Sequence, residues 1–399
     1  MKKIILTVAL VFFVLTFIVI DIKDSKNQRK IDNGADNQEE KAIYVSYIEF
    51  NSYIKDKDSN TSKKNIAKML DDVKEYGFNN VIVHVRPFSD SIYKSEFYPV
   101  SSTVLNDKGV YPDYDVLEYF IAEAHKRNIR FEAWVNPFRV SNITDLSQIP
   151  IDSPYYDFVK TGDAKTIEGK GIYLNPASSK VEELVVNGIE EIVKNYDVDA
   201  IHFDDYFYPD KEIDLASYSE YKKNGGNLSI DQYRLNIISS FIKNVYSAIK
   251  NTKKDVLFGI APEGNIENDY ENNFLDVNLI LGNEGYVDYI MPQIYFGFEN
   301  ETKPFISTIG VWNSLIKVDS IKLIPALAFY KIGVIDQYAG SGKDEWINND
   351  NIIKKQILIA RNQSNYGGFS LFRYDYIFNE EKHNDNTKEE IKNIKDILM

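Results

Sequence analysis

Cysteine is absent from this 399-residue chain, which excludes a disulfide framework, a thiol nucleophile, a thiolate metal site and a lipidated lipoprotein cysteine. Stability must then come from packing. Histidine is scarce too. The four, His84, His125, His202 and His383, never fall at the i, i+4 spacing of a helical zinc motif, so no cofactor and no catalytic metal are expected, although the count leaves room for a carboxylate-bound Ca²⁺. Positive charge is also short, with 46 basic against 60 acidic residues and a formal net charge of -14, which repels phosphate backbones and argues against a nucleic-acid ligand. What is present is apolar and aromatic: hydrophobic residues make up 44%, with 28 Tyr and 23 Phe, enough to bury a sizeable core.

One long run lacks charge altogether. After Met1, Lys2 and Lys3, residues 4–20 carry no ionisable side chain, and as a helix they span about 25 Å against a hydrocarbon core of about 30 Å. No Ala-x-Ala-like cleavage site follows, since Asp21, Ile22, Lys23 and Asp24 come next, so residues 1–20 read as a signal anchor. The leading lysines keep the N-terminus inside and place the rest outside the cytoplasm, membrane-tethered, or secreted if the leader is cut. The polar residues 21–40 read as a flexible linker, and residues 41–399 as one catalytic-sized domain.

Within that domain, β-branched and aromatic runs at 42–48, 80–86, 129–135, 199–204, 256–262, 287–294, 322–329 and 367–374 read as strands. Helical periodicity separates them at 62–76, 114–127, 179–195, 231–250, 304–317 and 350–362, with a weaker pattern near 272–281 and a last one near 387–398. Eight alternations predict an α/β fold of the (β/α)₈ TIM-barrel class. A doubly wound sheet would want a glycine-rich turn after the first strand, where Glu49-Phe50-Asn51-Ser52-Tyr53 stands instead. Long connections at 87–113, 136–178 and 205–230 all follow strands, which puts them on the carboxyl face where barrel enzymes build their sites.

Strand alternation then sorts side chains by face. Val81, Val83 and Val85 take the helix side, leaving Ile82, His84 and Arg86 for the axis. Phe131, Ala133 and Val135 face outward, which turns Glu132, Trp134 and Asn136 inward. Ile201 and Phe203 do the same for His202 and Asp204. Gly259, Ala261 and Glu263 share one face, as do Met291, Gln293 and Tyr295. Buried ionisable groups are costly unless used, so their gathering at several strand ends points to a working site.

Asp204-Asp205 ends the fourth strand and Glu263, between Pro262 and Gly264, ends the fifth. Neighbouring strand ends can hold two carboxyls about 5–9 Å apart, as glycoside hydrolysis requires. Glu263, with few expected donors around it, is read as the general acid/base, Asp204 as the nucleophile, and Asp205 as turned toward the loop to position a neighbour or a sugar hydroxyl. Tyr44, Trp134, Tyr206, Tyr208, Tyr295, Phe296, Tyr330, Phe372 and Tyr374 stand at or near strand ends and suit sugar stacking, with core packing the plainer role for Tyr44 and Phe372. Arg86, Asn136, Asn175 and Gln293 could hydrogen-bond hydroxyls or N-acetyl groups.

Several blocks in one order also resemble the bacterial glycosyl hydrolase-like 10 family: Val83-His84-Val85-Arg86-Pro87 with Asp90 and Tyr93, Tyr114-Asp115-Val116-Leu117, His125-Lys126-Arg127, Ala133-Trp134-Val135-Asn136-Pro137-Phe138-Arg139, and Leu174-Asn175-Pro176. The series continues with Tyr196-Asp197-Val198-Asp199-Ala200-Ile201-His202-Phe203-Asp204-Asp205-Tyr206 and Met291-Pro292-Gln293-Ile294-Tyr295. Ala200 stands where that family usually has glycine, and Phe138 where tyrosine is common. The resemblance implies an extracytoplasmic barrel glycosidase acting on peptidoglycan glycan strands, particularly strands without stem peptides. It implies a site of Asp204 and Glu263 lined by His84, Arg86, Trp134, Asn136, His202, Asp205, Gln293 and Tyr295. Another surface or biofilm polysaccharide, or a non-catalytic glycan-binding scaffold, are the alternatives.

Overall fold

The computed structural model describes residues 38–145, 147, 149, 151–153, 155–205 and 207–398; the leader expected at 1–20 and most of the linker lie outside them. Glu39–Met399 forms one compact unit. Among the described residues no helix is long and apolar enough to cross a membrane.

Among the described residues twelve strands form: β1 (Glu40–Val45), β2 (Asn80–Arg86), β3 (Arg130–Val135), β4 (Arg139–Ser141), β5 (Ala164–Ile167), β6 (Gly171–Leu174), β7 (Ala200–Phe203), β8 (Leu257–Ile260), β9 (Tyr289–Ile290), β10 (Lys322–Leu323), β11 (Ala326–Leu327) and β12 (Gly368–Leu371). Nine of them pair in a curled, all-parallel sheet ordered β10-β9-β8-β7-β3-β2-β1-β12-β11. Its two end strands are consecutive in the chain, parted only by Ile324 and Pro325, and Pro325 has no N–H to give a ladder. Gln293 bridges to Ala326 and Leu323 to Tyr366, while the Ile324 and Ala326 amides donate to Ile290 and Pro292 carbonyls at 2.9 Å. β4, β6 and β5 make a small antiparallel sheet inside the long connection expected at 136–178.

Amphipathic helices cover the sheet because their apolar residues recur every three or four positions. In helix 179–195, Val181, Val185, Ile189, Ile192 and Val193 are buried, and Ser178 caps its start by accepting from the Val181 amide. Burying each such side chain stabilises by roughly 1.5–3 kcal/mol. Helix 230–252 opens with a reciprocal cap between Ser229 and Gln232. The single weak helix expected near 272–281 is instead two short ones, 266–271 and 277–281, parted where the buried Phe274 takes φ 50°.

Ile43, Val45, Val81, Val83, Val85, Phe131, Ala133, Ile201 and Phe203 join the core between sheet and helices. Ala42, Tyr44, Ile82, Trp134, Ala200, Ala261, Tyr289 and Met291 form a separate inner cluster. The alternation therefore holds as far as His84. There β2 carries a bulge: His84 pairs with Trp134 but Arg86 pairs with Val135, so two residues advance on β2 against one on β3. One extra residue reverses every later side chain. Arg86, expected at the axis, lies on the helix side, its guanidinium 4.3 Å from the Tyr98 ring centroid and against Gly188 of helix 179–195.

Candidate functional site

Beneath the carboxyl end of the inner sheet face runs a chain of buried polar groups. Glu132 accepts from the Asn80 amide and the Tyr289 hydroxyl, each at 2.6 Å; Tyr289 is 3.1 Å from His202 Nδ1, and His202 Nε2 is 2.9 Å from the Tyr44 hydroxyl. Burial and the neighbouring Glu40 raise the Glu132 carboxyl well above the ordinary range, and burial lowers His202 to about 3, so the imidazole is neutral. With the Tyr289 proton given to Glu132, Nδ1–H of His202 donates to Tyr289, and Nε2 is left to accept from Tyr44. The Met291 thioether, 3.1 Å from the same hydroxyl, is the weaker acceptor.

Above this floor opens a cavity of about 410 Å³ lined by aromatic rings and a few polar groups, among them His84, Trp134, Arg139, Asp204, Asp205, Gln293, Tyr295, Tyr330 and Phe372. His84 stacks on Trp134 with ring centroids 3.6 Å apart and planes 8° off parallel. Burial, then the charge of Arg139, pushes His84 well below its usual value. Its Nε2 faces the Asn136 amide at 3.2 Å, so the ring proton sits on Nδ1; that N–H and the indole N–H of Trp134 have no hydrogen-bond partner among the described residues. Buried donors rarely stay unpaired, so both suit the oxygens of a hydroxylated ligand.

β7 ends at Phe203, and once the strand geometry stops, Asp204 and Asp205 both reach the cavity. Asp205 thus lines the site rather than turning to the loop. Burial raises its carboxyl to about 6, with the Glu263 charge adding to the rise and the Gln293 hydrogen bond and Arg139 opposing it. Glu263 itself does not line the cavity. Asn268 and Asn273 donate their side-chain amides to it at 2.7 and 3.3 Å, so the donor-poor setting expected from Pro262 and Gly264 is not the one it has. Asn268 arrives on helix 266–271 and Asn273 just beyond its end, and the tight return beside Gln293 that leads into this helix needs Gly264: a Cβ there would lie 2.5 Å from the Gln293 carbonyl oxygen.

Of the residues expected from sequence, His84, Trp134, Asp204, Asp205, Gln293, Tyr295 and Tyr330 come together around one cavity. His202 lies below it and Asn136 behind His84, where its amide also donates to the Pro87 carbonyl at 3.1 Å. Asn175 is elsewhere: its side chain turns the chain from β6 toward helix 179–195, accepting from the Ala177 amide at 3.0 Å and donating to Ser217 at 3.1 Å. Arg86 is removed by the bulge, and Tyr206 lies outside the described residues. Tyr208 and Tyr374 donate to Asp214 and Asp72 away from the cavity, whereas Tyr44 and Phe372 line it.

Sequence reasoning missed Ser46, Tyr47, Arg139, Arg373 and Tyr376, all on the cavity wall. Ser46-x-x-Glu49 is a capping box that ends the first strand and starts helix 47–53, which brings Tyr47 to 5.7 Å from His84. Buried Glu49 then pairs with Arg373. Arg139 stands two residues after Pro137, with its Nε donating to the Pro87 carbonyl at 3.1 Å and its guanidinium over Phe88. Among the described residues no three His, Asp or Glu side chains are arranged to hold a metal ion.

The chain is similar to several known proteins. Glycosyl hydrolase YngK of Bacillus subtilis (strain 168) is 35% identical over 291 residues, 68% of this chain and 56% of the relative, so the match spans little more than half of that protein. Glycosyl hydrolase DigH of Escherichia coli (strain K12) is 29% identical over 332 residues, 77% of this chain and 74% of the relative. Among solved structures, the glycoside hydrolase domain of PgaB (BpsB) from Bordetella bronchiseptica superposes with a TM-score of 0.57 at 12% identity, covering 89% of this chain and 99% of that one. Alpha-L-fucosidase isoenzyme 2 from Paenibacillus thiaminolyticus superposes with a TM-score of 0.56 at 13% identity, over 90% of this chain and 49% of that one. At such identities the superpositions speak for the fold. The family model described as glycosyl hydrolase-like 10 matches residues 40–340, most of the folded unit, and the chain belongs to that family of glycoside hydrolases.

Proposed function

We propose that this protein hydrolyses glycosidic bonds in peptidoglycan glycan strands, with peptide-stripped strands as its substrate, outside the cytoplasm and tethered by its N-terminal apolar segment. β10 and β11 count in this reading as one interrupted strand, so that eight strands close a (β/α)₈ barrel around the site. The observation that carries the reaction class is the consecutive pair Asp204 and Asp205 in an aromatic-walled cavity at a strand's carboxyl end. Asp205, raised to about 6, is the proton donor to the leaving glycosidic oxygen, and Asp204 stands beside it. Glu263, first read as the acid, serves instead to keep a negative charge beside Asp205. Aromatic faces around the cavity suit the apolar faces of sugar rings. Family membership and the relatives named as glycosyl hydrolases support the class, and the Lys2-Lys3 leader supports the location.

The test uses the full chain in detergent, given purified glycan strands with and without stem peptides, with product masses read by mass spectrometry. Cleavage of stripped strands, abolished in Asp204→Asn and Asp205→Asn, is expected. Full activity in both variants would overturn the assignment, and cleavage confined to another polysaccharide would overturn the substrate. Protease accessibility of the folded unit in intact cells tests the location.

A further inference from the structure

The cavity draws its carboxyl groups from one strand end. Among the described residues that line it, Asp204 and Asp205 are the acids, and they are consecutive at the end of β7. Hydrolysis by two protein carboxylates instead sets them on opposite faces of the sugar, about 5–9 Å apart. The lining residues Tyr295, Tyr330, Phe372 and Tyr376 carry no carboxylate, and Glu263, on the next strand end, is not among the lining residues and accepts from Asn268 and Asn273 while its charge still reaches Asp205. Among the described lining residues, then, no carboxylate stands away from the end of β7 to attack the far side of the sugar. A 2-acetamido sugar can bring its own nucleophile, because its carbonyl oxygen reaches C1 from that side.

The surroundings of Asp204 match the other parts of such a group. An acetamido N–H needs an acceptor; Asp204 supplies one on the cavity wall, where the Tyr44 ring also stands. The two are neighbours: after burial and Glu132, the charge of Asp204 is the next cause raising the Tyr44 hydroxyl. The acetamido methyl needs an apolar recess. Tyr44 meets Trp134 edge-on at 5.3 Å and Phe372 at 5.5 Å, which makes an aromatic corner on the same cavity wall.

We propose that the nucleophile is the substrate's own 2-acetamido oxygen, with Asp204 holding the acetamido N–H, the Tyr44, Trp134 and Phe372 corner holding its methyl, and Asp205 protonating the leaving oxygen. The proposal rests on the glycoside-hydrolase reading above and deepens it, since it fixes an N-acetylated sugar on the glycosyl side of the broken bond. In the first step the amide oxygen bonds to C1 as the C1–O bond breaks, and the leaving oxygen takes the Asp205 proton, giving an oxazolinium ion. In the second, water attacks C1, its proton passes to Asp205, and the C1–O bond to the amide opens. One water is consumed, the amide is restored, and two displacements retain the configuration at C1.

The experiment measures kcat on acetylated, N-deacetylated and N-trifluoroacetylated strands with the full chain, and adds azide to Asp204→Ala. Deacetylated strands should lose at least about 100-fold in kcat and trifluoroacetylated strands about tenfold or more with little change in KM, as expected when the nucleophile is weakened and binding is kept. A thiazoline analogue of N-acetylglucosamine should inhibit competitively, and no glycosyl azide should form. Equal kcat on all three substrates, inversion at C1, or a glycosyl azide from Asp204→Ala would overturn the proposal while leaving the hydrolase reading intact. Failure of the wild-type protein to cut any strand would overturn both.

Discussion

Replacing Glu263 by glutamine separates its two possible roles, as a group at the reacting bond or as the charge that keeps Asp205 protonated. A general acid works only while it holds its proton, so activity falls as pH rises through its pKa. With that value at about 6, about one Asp205 in eleven is protonated at pH 7; at the ordinary 3.8 it would be about one in 1,600, roughly 150-fold fewer. Burial supplies most of the elevation and Glu263 a lesser share, so glutamine should remove part of that advantage and not all. The assay is kcat/KM against pH from 4.5 to 9. Wild type should show an alkaline limb centred near 6. In Glu263→Gln the limb should move to lower pH, the low-pH plateau should stay within about threefold of wild type, and the rate at pH 7 should fall by more than a few-fold but less than the roughly 150-fold ceiling. A limb that does not move would refute the electrostatic role. A plateau lower by about 10³ or more would return Glu263 to the chemistry itself.

Asp205→Asn should lower kcat by roughly 10²–10⁴ with little change in KM and an unchanged circular dichroism spectrum; a loss confined to KM would make Asp205 a binding group. Gly188→Ala would place a Cβ 2.3 Å from Arg86 Nη1 and 2.6 Å from Tyr98 Cε2, costing about 1–3 kcal/mol in denaturant unfolding, and Arg86→Ala should relieve part of that cost without lowering kcat of the folded protein. Strict additivity of the two changes, or loss of turnover in Arg86→Ala, would return Arg86 to the cavity side. Glu132 is raised from 4.5 to about 8 by burial and then by Glu40, so the folded state keeps a proton that the unfolded chain has lost. Its contribution to stability is therefore complete below about pH 4.5 and is lost as pH rises toward 8. Glu132→Gln should flatten the fall in Tm between pH 5 and 8, and parallel Tm profiles would show that Glu132 does not titrate there.

Strand content and facing were legible because they depend on nearest neighbours in the chain. Val81, Val83 and Val85 join the outer cluster, while Ile82 joins the inner one and His84 lines the cavity, as the alternation requires. Arg86 failed for a reason with no compositional mark: a bulge without glycine inserts one residue, and parity beyond it reverses. Tyr47 failed although its signal was present. Ser46-x-x-Glu49 announces a helix start, but the aromatic and β-branched run around it looks equally like strand, and only the buried Glu49 and Arg373 pair decides between them. Asn175 shares its Asn-Pro turn with Asn136-Pro137, yet it closes a strand of the small antiparallel sheet, so the same dipeptide ends far from the cavity.

The acids show where local reading must stop. That Asp204 and Asp205 stand together at a strand end follows from seven consecutive residues, Asp199 to Asp205. Which of them holds a proton depends on groups the chain delivers from elsewhere: Glu263 after β8, Gln293 after β9 and Arg139 after β3, each at the same carboxyl rim. Glu263 in turn gets its donors from Asn268 and Asn273, five and ten residues further along. A proline and a glycine beside a carboxylate made it look bare, when they serve to turn the chain so that these amides can reach it. The identity of a protonated acid is thus a property of the rim, and it becomes readable only when three loops have been brought to one place.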